Sequence, residues 1–169
     1  MEVKKKKMEF LGRAIEFFLI REDFSKDFGD PGLTDSLVRY HVKNNIVRCD
    51  SRAEDWYCGF AALHETICCG PYEFIVPKRL FVKPVDAKNF LKASGVSGEY
   101  QIRDIYDRCG VIDLIITEKM PRNLQKDYIE KRIEMFRTLL SRKLYGNDED
   151  LKQGFERALE LLKNRLKNN

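Results

Sequence analysis

Long apolar runs are missing from this 169-residue chain. No stretch approaches the roughly 20 residues needed to span a bilayer. The opening MEVKKKKMEF leads into the charge-interrupted LGRAIEFFLIRED, with neither the unbroken apolar segment nor the small-residue cleavage site of a secretory signal. A membrane protein is thereby excluded from the expectation, and a cytoplasmic one is expected. Charge of one sign is lacking too. The 31 Lys and Arg face 27 Asp and Glu, and the signs are interleaved, so the net +4 is too diffuse to mark a nucleic-acid binder by itself. There is no internal repeat and no low-complexity linker. Histidine occurs twice and tryptophan once, so the few of them that cluster are informative.

What is present is globular in composition: 43% hydrophobic and 34% charged. The length suits one domain, residues 1–169, with a helical C-terminal subregion over 122–169. Cys49, Cys58, Cys68, Cys69 and Cys109 are odd in number and two are adjacent, which suits a reducing compartment better than a disulfide framework.

Met8, Leu11, Ile15, Phe18 and Leu19 recur at helical spacing and predict an amphipathic helix over 5–22. DFGDPGLTD breaks it. Val38, Tyr40 and Val42 alternate with polar residues, Asn44 and Asn45 suit a turn, and IVRC follows, which predicts a β-hairpin. Ser51 with Glu54 reads as a capping box for a helix running to Cys69 and stopping at Gly70 and Pro71. YEFIV and RLFVK, flanking Pro77, read as short strands or an extended arm. DAKNFLKAS and YQIRDIYDR read as helices, while VIDLIIT fits either a buried strand or a helical turn. Ile129, Ile133, Phe136, Leu140 and Leu144 define a long helix ending at Gly146. Leu151, Phe155, Leu159, Leu162 and Leu166 define the last one, antiparallel to it. The expected class is α+β, mostly helical, with a small hairpin sheet beside a central helix.

The central helix carries the chemistry. In DWYCGFAALHETICCG, His64 and Cys68 stand four apart, one above the other on a helix face, and Glu65 adjoins the histidine. This is the spacing of H-E-x-x-H with a thiolate as second ligand. It predicts His64 and Cys68 as zinc ligands and Glu65 as the catalytic base acting on a bound water. A third ligand is open among Cys69, His41, Glu130, Asp127, Glu73 and Asp50. The bland alternative makes the cysteines and alanines small packing residues. A buried histidine beside a glutamate is harder to explain that way, since both are costly to bury unsatisfied.

Cys58-Gly59-Phe60-Ala61-Ala62-Leu63 resembles the C-G-x-A-x-L nucleophile motif of the bacteriocin-processing, papain-like cysteine peptidases. That resemblance implies Cys58 as nucleophile. The family's downstream histidine and its glutamine before the cysteine have no counterpart here. Residues 42–70 resemble a group of small, uncharacterised phage and prophage proteins. The likeness rests on VKNNIVRC, Asp55-Trp56, Ala62-Leu63-His64-Glu65 and the later KRIEMFRTLLSRKLYG. Cys68 stands where that group has a glutamate. The resemblance implies a metal-dependent function with no established substrate.

Lys4 to Lys7 could meet a phosphate backbone or an acidic surface, although such a run is more often a solvated terminus. Lys78, Arg79, Phe81 and Lys83 interleave basic and aromatic residues as single-strand-binding surfaces do. The leucine stripes offer core or a homodimer seam. Two readings stand: a zinc protein with hydrolase chemistry on an unknown substrate, and a non-enzymatic module binding protein or nucleic acid through a structural central helix.

Overall fold

The computed structural model describes residues 2–24, 38–41, 45–77, 84–100, 102 and 108–168. The fold is α+β and mostly helical, as the patterning predicted. It divides into two compact units, Met1–Ile75 and Val76–Asn169.

The first unit is a four-stranded sheet with one helix on it. Strands β1 (Val3–Phe10), β2 (Arg13–Glu22), β3 (Val38–His41) and β4 (Ile46–Asp50) lie in the order β1-β2-β4-β3. β1 and β2 are antiparallel, β2 and β4 parallel, and β3 and β4 antiparallel. The predicted hairpin is β3 and β4, with Asn45 at φ 50° before β4. Helix α1 (Asp55–Cys69) packs on β2, β3 and β4.

The helix expected over 5–22 is instead the hairpin β1–β2. The run AIEFFL satisfies two periods at once, and the period of two wins. Ile15, Phe17 and Leu19 are buried, whereas Phe18 is 38% exposed. The reversal needs only Leu11 and Gly12, whose φ values of 50° and 74° are those of a primed two-residue turn that matches strand twist. Lys4 to Lys7 are exposed on the edge strand, where lysine also discourages unwanted pairing.

Two further expectations change. YEFIV is no strand: it holds a 3-10 turn at Glu73–Ile75, and RLFVK lies outside the described residues. The capping box at Ser51 is not formed either. α1 begins after Glu54, which makes no side-chain cap, and the Ser51 amide donates to the Glu22 carbonyl at 2.7 Å. Arg21 does the anchoring from the end of β2: it donates to the Ser51 carbonyl at 3.0 Å and to the Ala53 carbonyl, and pairs with Asp55 in the first turn of α1.

The second unit is helical. It contains α2 (Pro84–Ala93), α3 (Arg108–Lys119), α4 (Arg122–Ser141) and α5 (Glu149–Lys167). VIDLIIT is helix, buried on every side, which is why its pattern carried no period. Gly110 lets α3 approach α5: a Cβ there would meet Leu161 Cδ2 at 2.9 Å and the Ala158 Cα at 3.2 Å. α4 ends at Ser141 rather than Gly146, leaving Leu144 half-exposed in the turns that follow. Phe136 and Phe155, placed symmetrically about the connection, pack with ring centroids 5.9 Å apart, so α4 and α5 run antiparallel as expected. Asp148 caps α5 by accepting from the Leu151 amide at 2.9 Å. Much of the segment expected to form the YQIRDIYDR helix lies outside the described residues.

A buried polar knot holds α3 to α4. The Asp113 carboxylate accepts from Arg132 Nε at 2.9 Å and from the Tyr128 hydroxyl at 2.7 Å. Both charged side chains are at most 1% exposed.

Candidate metal centre

The start of α1 is tied to the sheet covalently. Cys49 on β4 and Cys58 in the first turn of the helix form a disulfide with Cα atoms 6.1 Å apart. This corrects the expectation of unpaired cysteines: nine residues of separation and a strand-to-helix corner bring two of the five together. Beside it, buried Asp50 accepts from Arg52 through its backbone amide at 2.9 Å and its guanidinium at 2.7 and 3.0 Å. Burial pushes this carboxyl upward, but the Arg52 hydrogen bonds and charge outweigh it and hold Asp50 below the ordinary carboxylate value.

From Cys58 the helix turns about 100° per residue, which carries His64 roughly 120° away from the direction of the disulfide. His64 and Cys68 thus share a face distinct from the one that Cys58 turns toward β4. His64 is 2% exposed and Cys68 half-buried. Ala61 and Ala62 are fully buried small residues in the turn between, and Thr66 returns its hydroxyl to the Ala62 carbonyl at 2.8 Å.

On α1, His64 and Cys68 each offer one ligand atom, and the two atoms lie within 4.8 Å of one another, a pair that could hold a metal ion. Imidazole with a thiolate is a donor pair of borderline-to-soft character.

Glu65 points elsewhere. Being one position on from His64, it turns about 100° round the helix, and its Oε2 lies 3.9 Å from Cys69 Sγ at the surface. The other third-ligand candidates have their own settings. Asp50 is held by Arg52, Glu130 lies 3.7 Å from Lys126, Asp127 lies 3.9 Å from Lys131, Glu73 is exposed in the 3-10 turn, and His41 belongs to β3. Cys109 belongs to the second unit, in the first turn of α3. Cys58, the nucleophile that the peptidase resemblance implies, has its sulfur in the disulfide and is fully buried.

An open groove of about 910 Å³ in the second unit is lined by Lys88, Lys92, Val96, Tyr100, Glu160 and Asn164. None of the predicted site residues lines it. Burial pushes the Tyr100 phenol above its ordinary value, with Arg165 opposing and Glu118 adding to the rise.

These features define the chain as an α+β protein whose helix α1 carries a histidine and a cysteine placed as a metal-binding pair. No known protein family, no curated protein and no solved structure matches it. Among the described residues, no helix is long and apolar enough to cross a membrane.

Proposed function

We propose that the chain is a zinc protein in which His64 and Cys68 are ligands and an open position takes water or substrate. The single observation that carries this reading is the placing of the His64 and Cys68 donor atoms within 4.8 Å of each other on one face of α1. An open position on the ion is the pattern of catalytic rather than structural zinc. Zinc bound there would lower the pKa of a water to about 7 and so supply hydroxide at neutral pH. The reaction class is hydrolysis, and Glu65, at the rim of the same helix, is the base in this reading. It would reach the water by turning away from Cys69. The resemblance of residues 42–70 to small phage proteins points to the same histidine and glutamate.

Elemental analysis of protein purified without a histidine tag or chelator tests the metal. About one zinc per chain, lost in His64→Ala and in Cys68→Ala, is expected; metal-free, well-folded protein would overturn the reading and return α1 to a structural role. Glu65→Gln separates the catalytic part from the binding part. It should keep the zinc while abolishing turnover in a screen of ester, amide and phosphoester substrates, and unchanged turnover would remove Glu65 from the chemistry.

A further inference from the structure

Outside the metal pair, a dense run of charge lies on the edge strand of the first sheet. Among the described residues, β1 closes one side of the sheet, with β2 its one hydrogen-bonded neighbour. Four consecutive lysines, Lys4 to Lys7, occupy its centre and all are exposed. Alternation puts Lys4 and Lys6 on one face and Lys5 and Lys7 on the other, with same-face neighbours about 6.8 Å apart along the strand. Lys4 and Lys6 share their face with buried Phe10 and with its cross-strand partner Arg13. The Arg13 guanidinium lies over the ring of Phe74, 5.3 Å from its centroid. Phe74 is 57% exposed, the ring of a phenylalanine left largely in water. It is nevertheless held in place, because its neighbour Tyr72 accepts a hydrogen bond from the Glu16 amide of β2 at 3.3 Å.

We propose that this edge binds single-stranded nucleic acid, with the phosphates along Lys4 to Lys7 and a base stacked on the Arg13 and Phe74 platform. A run of cations beside an exposed ring is what such binding needs: the cations track the backbone, and a flat aromatic or guanidinium face takes a base without regard to sequence. The charge is complementary. Lys4 and Lys5 contact Glu2 at 3.3 Å and Glu16 at 3.0 Å, but these are solvent-exposed pairs of small worth, which phosphates can replace. An acidic protein would use the lysines and leave the stacked ring without a role. An anionic membrane would have to strip water from Arg13 to bury Phe74.

Fluorescence anisotropy of a labelled oligothymidine with the full chain tests this, at about 50 and 200 mM salt. Four neutralised phosphates on a single strand give a log–log slope near −2.8, which is a loss of about 50-fold over that range. Lys6→Gln should flatten the slope by about 0.7. Phe74→Ala should weaken binding roughly tenfold or more at every salt concentration without changing the slope, and Phe74→Tyr should retain it. No saturable binding would overturn the proposal. So would binding indifferent to Phe74→Ala, or equal binding of polyglutamate or of phosphatidylserine vesicles, since each makes the edge a plain cationic surface. Because the readout needs no metal, it stands or falls separately from the zinc reading.

Discussion

Arg132→Met removes the cation from the knot that joins α3 to α4 while keeping most of the aliphatic stem. Asp113 then remains at 0% exposure, keeping the Tyr128 hydroxyl but losing this guanidinium. Breaking one side of a fully buried ion pair costs about 3–5 kcal/mol, because the surviving charge has given up water and now loses the Coulomb attraction of the pair as well. For a chain of this size each kcal/mol lowers Tm by about 2–4 °C, which gives a drop of roughly 6–20 °C. Loss of the guanidinium contact with the Phe136 ring, 5.5 Å to the centroid, acts in the same direction. Urea unfolding followed by circular dichroism at 222 nm measures the free energy directly. A second variant isolates the cause. Asp113→Leu and Tyr128→Phe added to Arg132→Met replace all three members of the knot by apolar groups and should recover most of the loss. A single variant within about 1 kcal/mol of the parent, or a triple variant no more stable than Arg132→Met, would refute the account of this knot.

Gly110→Ala should destabilise by about 1–3 kcal/mol, since the new methyl meets the backbone of α5 as well as a leucine; chemical denaturation checks it, and an unchanged midpoint would show that the helices can part freely. Reducing the Cys49–Cys58 bond should cost about 2–3 kcal/mol, the chain entropy released by opening a loop with a sequence separation of 9. Thermal melts with and without a phosphine reductant measure that loss, and Cys49→Ser should melt with the reduced protein. Asp50 makes stability depend on acid. Its folded pKa is below the ordinary 3.8, so its contribution is present above that value and drains away as pH falls through the lower folded one. Melts between about pH 5 and 2 should show this slope, and Arg52→Gln should flatten it.

Much of the plan was open to reading in one dimension. The hairpin at 38–50, the helix from the Asp55 region to Cys69, the last two helices and their antiparallel pairing all follow from local period and turn chemistry, because each buries a face whose spacing the chain itself displays. The spacing of His64 and Cys68 was readable for the same reason: four residues is one helical turn wherever the helix goes. The N-terminal segment misled because its apolar residues fit both 3.6 and 2.0. A sheet neighbour settles that choice: β2 pairs with β1 along its length and with β4 over Phe18–Glu22, and only this pairing makes the period of two the favourable one.

What tertiary structure alone decided is which distant residues meet. Cys49 and Cys58 join because β4 turns through Asp50 into α1. Arg21 replaces Ser51 as the anchor of that helix because β2 ends beside it. No local propensity encodes such a meeting. A ligand's chemistry is a property of its side chain, whereas its place around an ion follows from how the backbone packs, and packing is a sum over contacts that no single stretch of the chain contains.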